Sequence, residues 1–241
     1  MNGARASRSG HRWLSLVIGA QLLLWTASGL FMAAVDLDFI HGDSLVRDVA
    51  STLPSDLSLA SIETLRAGRD DIVTLRLRTL PDDGQVVYEL ERIGRRELVD
   101  AATGRTLAPL SPGRVRALAR AYYAGHGQIA RARLLRAAAD LPAEIRGRRA
   151  PLWRVEFDDW LETTFYLHPD TGSLVTRRHR LWRWYDFLWS LHIMDYRDRE
   201  HVDNALLRVV APLALTTVVF GGWLVFYSFA FLRRRRPRTP S

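Results

Sequence analysis

Two apolar runs of membrane length, one near each end of the chain, limit what the rest can fold into. Residues 13–35 (WLSLVIGAQLLLWTASGLFMAAV) number 23 and carry no formal charge; residues 205–232 (ALLRVVAPLALTTVVFGGWLVFYSFAFL) number 28 and carry one, Arg208. About 20 apolar residues cross a hydrocarbon core, so each run is expected to be a transmembrane helix, the second with room to tilt. A helix apolar on every side has no place in the core of so small a soluble domain. For the first run the alternative is a cleaved signal peptide, with FMAAVD as its small-residue site. A signal's apolar region normally holds about 7–15 residues, fewer than this run, which favours a retained helix.

Charge sets the orientation. All 34 basic residues are arginine, a usage that fits a high-GC bacterial genome. Arg5, Arg8 and Arg12 precede the first run, and Arg233, Arg234, Arg235, Arg236 and Arg238 follow the second, with no acid in either tail. The other 26 arginines balance the 26 acids, so the net +8 lives on the two ends. Short basic tails stay in the cytoplasm, while long domains cross largely regardless of charge. Residues 1–12 and 233–241 are therefore expected inside a bacterial inner membrane and residues 36–204 in the periplasm. Nucleic-acid binding by the outer domain is excluded on that topology. The absence of cysteine excludes disulfides, a CxxC redox pair and Cys-ligated zinc or iron–sulfur clusters.

The outer segment contains a half-hidden repeat. Residues 36–110 begin with a helical stretch at 55–68, continue through strand-like runs at 72–78, 86–92 and 97–100, and close on Asp100-Ala-Ala-Thr-Gly104. Residues 111–176 open with helical sequence at 112–123 and 129–140, continue through runs at 152–157 and 162–167, and close on His168-Pro-Asp-Thr-Gly172. The two Thr-Gly turns lie 68 residues apart. Asp and Thr hydrogen-bond nearby amides and Gly accepts positive φ, so both sites read first as hairpin turns rather than as catalytic aspartates at Asp100 or Asp170.

The segment YELERIGRRELVDAATGRTL at 88–107 resembles a PepSY domain, and WRVEF…FYLHPDTGSLV resembles it more loosely. HRWLSLVIGAQLLLWTASGLF and LHIMDY…ALLRVVAPLALTTVVFGGWLVF are similar to the first helix and the LH-containing segment of PepSY-associated transmembrane proteins. The likeness spans most of residues 11–236. It implies an α+β periplasmic domain of two PepSY-like helix-plus-antiparallel-strand repeats, anchored by two transmembrane helices. PepSY modules restrain metallopeptidases as propeptides and occur in membrane proteins of iron uptake and redox. Larger relatives with four membrane helices include haem-containing siderophore-iron reductases, and this chain has two.

Seven histidines are the candidates for chemistry: 11, 41, 126, 168, 179, 192 and 201. A b-type haem needs two imidazoles on opposite faces of its ring. Neither apolar run holds a histidine. His41, His192 and His201 fall near the outer rim and His11 at the inner one, so haem ligation would need His41 paired with His192 or His201, or a dimer contributing His11 twice. His11 and His192 match the family pattern. His192 and His201 are nine residues apart, half a turn out of phase on one unbroken helix, and could not share a metal from it. No HExxH, P-loop, GxGxxG or GxSxG motif is present, so no catalytic residue is assigned. Asp158-Asp159 reads as a solvated hairpin tip. Asp195, Asp198, Glu200 and Asp203, interleaved with arginine, read as locally neutralised rather than as a cation site.

Residues 177–204 form an amphipathic segment. Read as a helix, 177–200 aligns Trp182, Tyr185, Trp189, Ile193 and Tyr196 in one stripe, with Arg177, Arg178, Arg180 and Arg183 at its start. Trp182, Tyr185, Trp189 and Tyr196 are expected at the bilayer interface, or packed on another membrane subunit. The expected function is that of an accessory protein: a periplasmic domain that binds or regulates a membrane partner, or a homo-oligomer, in a redox or iron-uptake setting, without enzymatic activity. The alternative is a haem-b electron-transfer protein. Inhibition of a peptidase in trans rests on fold analogy alone.

Overall fold

The computed structural model describes the backbone of residues 2–49, 53–145, 147–199 and 201–234, and the side chains of those residues other than 2–12, 14 and 224–234. The chain divides into two units, residues 1–36 with 184–241, and residues 37–183.

The first unit holds α1 (Asn2–Ala34), most of α5 (Arg180–Ile193) and α6 (Ala205–Arg234). Within α1 and α6, the windows Ser15–Ala34 and Ala205–Trp223 are long and apolar enough to cross a membrane. Only 11% and 6% of those windows is buried, whereas a core helix would be mostly buried. α1 packs on α6, and Ile18, Ser28 and Ala214 are buried. Pro212 lies inside α6, where it removes one ladder donor; the Thr216 hydroxyl donates to its carbonyl at 2.8 Å.

α5 is shorter than the sequence led one to expect. Arg177 and Arg178 belong to a strand, and the helix stops at Ile193 as Met194 takes φ +57°. Asn204 holds this break from both sides: its Nδ2 donates to the Ile193 carbonyl at 2.8 Å, and its Oδ1 accepts from the Leu207 amide at 2.9 Å. One side chain thus closes α5 and caps α6. The helix expected over 177–200 is thus Arg180–Ile193, and the unbroken helix on which His192 and His201 could not share a metal is not formed.

The second unit is α+β. After a single turn, α2 (Leu37–His41), comes α3 (Ile62–Arg66), then an antiparallel sheet of β1 (Ile72–Thr79), β2 (Val86–Arg92) and β3 (Arg95–Asp100). α4 (Pro112–Tyr122) precedes a second antiparallel sheet of β4 (Ile129–Leu135), β5 (Leu152–Phe157), β6 (Thr164–Leu167) and β7 (Leu174–Arg178), also in sequential order. Each helix starts at a serine whose hydroxyl accepts from the amide three residues on: Ser61 from Thr64 and Ser111 from Arg114, both at 3.2 Å. Leu80, Val87 and Leu98 of the first sheet region share one core with Val115, Leu118 and Ala119 of α4 and Trp153, Val155 and Phe165 of the second sheet.

Helix, antiparallel strands and a glycine turn occur in that order in both halves of the unit. In each copy the turn glycine abuts its own helix. A Cβ at Gly104 would lie 2.8 Å from Thr64 of α3, and one at Gly172 would lie 2.4 Å from Leu118 of α4. The expected helix at 55–68 contracts to Ile62–Arg66. The helix expected at 129–140 is strand β4 instead. Ala, Arg and Leu favour helix locally, but Ala132 and Leu134 alternate with Arg131 and Arg133, and pairing opposite Val155 and Trp153 overrides propensity.

Candidate functional site

Three places gather the chain's polar chemistry. The first is on α1. Trp25 and Ser28 lie within the membrane-length window, and Trp25 Nε1 donates to the His192 carbonyl at 2.6 Å. Ser28 Oγ lies 3.0 Å from His192 Nδ1 and 2.7 Å from the Leu24 carbonyl. A hydroxyl has one proton, and the carbonyl can only accept it, so the serine oxygen accepts from the imidazole. His192 Nδ1 therefore carries a proton, donated to Ser28. Gly29 makes room for the ring, since a Cβ there would stand 3.3 Å from His192 Cε1. Ser28 lies six residues before the end of the apolar window, about 9 Å along the helix axis.

The second place is where the chain enters and leaves the second unit. His179 is 1% exposed. Its Nε2 lies 2.9 Å from the Ile40 carbonyl, and its Nδ1 accepts from the Trp182 amide at 3.3 Å, the position of an N-cap for α5. Gly42, at φ +74°, passes beneath the ring; a Cβ there would lie 3.1 Å from His179 Cδ2. Burial pushes the His179 pKa below its ordinary value of 6.5. On the adjoining turn, donor atoms of Asp38, His41 and Asp43 lie within 4.8 Å of one another. Two carboxylates and an imidazole suit a small divalent cation better than haem. Arg177 pairs with Asp43 and also donates to the His41 carbonyl at 2.9 Å, so a guanidinium already meets this negative charge.

The third place is the face of the second sheet turned from the core. Arg154, Glu156, Phe157, Glu162, Thr164 and Arg183 line an open groove of about 430 Å³. Its charges are paired: Arg154 with Glu156 at 2.7 Å, Arg183 with Glu144 at 2.7 Å, and Arg180 with Glu162. Burial raises the Glu144 carboxyl, but hydrogen bonds from Arg183 and Tyr166 outweigh it and carry its pKa below the ordinary 4.5.

The sequence-derived candidates scatter. His11 lies in α1 with its side chain outside the described residues, as does the whole of Glu200. His201 is exposed, and its amide donates to Asp195 at 3.0 Å. Of the aromatic stripe, Trp182, Tyr185 and Trp189 are half-buried, with the Arg178 guanidinium 3.9 Å over the Trp182 ring. Tyr196 is 52% exposed beyond the helix end, and the outward aromatics of α5 are Trp184 and Phe187. Asp195 accepts from the amides of Arg197 and Asp198, and Asp203 pairs with Arg208. Asp159 is more than a solvated tip: Tyr123, its hydroxyl pKa pushed up to about 12 by burial and by this carboxylate, donates to it at 2.7 Å. Asp100 is a turn residue whose carboxyl accepts from Thr103 twice at 2.8 Å. The sequence reading missed His179, whose signal was its place directly before the helical run RLWRWY. Comparison with known protein families, curated proteins and solved structures finds no match for this chain.

Proposed function

We propose that this chain is a two-pass inner-membrane accessory protein with both termini in the cytoplasm, whose periplasmic α+β domain binds a partner protein. The observation that carries this reading is the groove on the second sheet. It opens outward from a packed domain, and its paired charges offer both signs to a polar partner surface. The exposed apolar windows of α1 and α6 supply the anchor. The redox or iron-uptake setting rests on the PepSY resemblance of residues 88–107. A photo-crosslinking amino acid at Glu162, in chain expressed at native level, should trap one discrete membrane-associated protein. Crosslinks to lipid or to nothing would overturn the reading.

A second reading is favoured by the proton on His192 Nδ1. An imidazole whose Nδ1–H is held by Ser28 can turn Nε2 to a metal or haem. It would supply one nitrogen ligand to haem b, with His201 or a second copy of the chain supplying the other. Haem would bring one-electron chemistry to the membrane; Ser28 would set the ring's orientation. The visible spectrum of purified chain, before and after haem addition, tests it. A Soret band lost in His192→Ala supports haem ligation, and its absence in both preparations sinks it for the isolated chain.

A further inference from the structure

We propose that His179 is a pH-sensitive clasp that ties the segment entering the second unit to the helix leaving it, and that opens when its ring takes a second proton. The clasp joins residues 139 apart in sequence. On one side is Ile40 at the end of α2, the first structured segment after α1; on the other is the first turn of α5, which leads toward α6. The Ile40 carbonyl can only accept, so Nε2 carries the proton; the Trp182 amide can only donate, so Nδ1 must be bare. Only the neutral Nε2–H ring satisfies both. A proton added at Nδ1 faces an N–H, and the cap of α5 is lost while the bond to Ile40 remains.

The surroundings lean the same way. The ring is buried against Gly42 and 6.5 Å from the Phe39 ring, which disfavours charge. Arg183, on α5 itself, opposes protonation, whereas Asp159, from the β5–β6 connection, favours it. The remaining charged groups on the elements packed around it are largely paired with one another: Arg180 with Glu162, and Arg177 of β7 with Asp43. Arg178 donates to the Glu144 carbonyl, and Asp38 and His41 stand on the outer side of α2. With the folded ring's pKa below its ordinary 6.5, the clasp is fully closed above that value and weakens as pH falls below it. In the periplasm, which takes the pH of the medium, that would make the entry and exit of the domain respond to acid. The chemistry of the clasp itself does not depend on the compartment.

Hydrogen exchange of the full chain in detergent, corrected for intrinsic rates, tests this between pH 7.5 and 5 in the peptide covering 180–193, with 37–46, whose bond to the ring persists, as the internal control. Protection in 180–193 should fall roughly tenfold for each pH unit below the ring's titration. In His179→Gln, whose amide offers one donor and one acceptor without titrating, protection should stay level. A flat wild-type profile, or the same loss in His179→Gln, would overturn the proposal. If that variant does not fold, 15N-imidazole spectra of the wild type serve instead. A ring found as Nδ1–H or already charged at neutral pH refutes the clasp, and an Nε2–H ring whose titration tracks the loss of protection supports it.

Discussion

A methyl group added at Gly172 would lie 2.4 Å from Leu118 Cδ1 and 2.9 Å from Leu110 Cδ1, on a backbone at φ +67°. Gly84 has a similar φ, +76°, with nothing within 4 Å of its Cβ position. The pair separates two costs. Left-handed backbone costs an L-residue about 1–2 kcal/mol, and overpacking a core adds about 1–3 kcal/mol. Gly172→Ala is therefore expected to lower stability by about 2–5 kcal/mol and Gly84→Ala by about 1–2 kcal/mol. Thermal unfolding of the two variants in detergent checks this, and equal losses would show that α4 yields freely. Glu144 carries a pH prediction of opposite chemical origin to that of His179. Its folded pKa is depressed, so its contribution is complete above about pH 4.5 and is lost as pH falls through the lower folded value. Glu144→Gln should destabilise the neutral-pH protein by about 1–3 kcal/mol, because Arg183 and Tyr166 lose a charged acceptor. It should also flatten the part of the acid limb that this carboxylate supplies. An acid limb unchanged in the variant would assign that limb to other carboxylates.

Among the elements, α4 is held by its own first residues: Ser111 at the cap, Pro112 just inside, and an apolar face of Val115, Leu118 and Ala119. Ser111→Ala should cost about 1 kcal/mol, or about 2–4 °C in midpoint. Ser61→Ala should cost less, since α3 has five residues and Leu65 alone buried. A larger loss at Ser61 would mean that α3 does more for the first sheet than its length implies. This locality explains what the sequence made legible. A serine before a proline, a Thr-Gly turn and a 20-residue apolar run act within one element, so they can be read without knowing what lies opposite. β4 fails that condition: its Ala-Arg-Leu composition points to helix, and only the facing Val155 and Trp153 make it a strand. His179 fails it too. Histidine is not a customary cap, and its second partner, Ile40, is 139 residues away. The groove draws on β5, β6 and α5 together, which no single stretch announces. The break at Met194 needed Asn204, ten residues on, to be seen as the place where α5 closes.

For the whole molecule, the decisive question is which side of a membrane each part occupies, and the absence of cysteine makes it directly measurable. Two independent physical effects bear on it. Hydrocarbon accepts the exposed faces of Ser15–Ala34 and Ala205–Trp223, where Leu23 and Leu30 are each 70% exposed, because water does not. That effect predicts two crossings and leaves direction open. Direction comes from the arginine tails, which resist transfer across the membrane while the charge-balanced middle does not. The two effects together predict an even number of crossings, with both ends on one side and the α+β unit on the other. Single cysteines placed at Ser7, Ala102 and Ser241 test this with a membrane-impermeant maleimide on intact spheroplasts. Ala102 lies exposed on the first glycine turn, so Ala102→Cys should label at once, and the two terminal variants only after lysis. Labelling of Ser241→Cys before lysis would place one end outside and remove the second crossing. If Ser7→Cys never labels because the mature chain lacks it, the first run is a cleaved signal, and the anchor is α6 alone. In that case Trp25 and Ser28 would be gone from the mature protein, and His192 would have lost the partner that fixes its ring. The orientation experiment therefore also decides whether the haem-ligand reading of His192 has a physical basis.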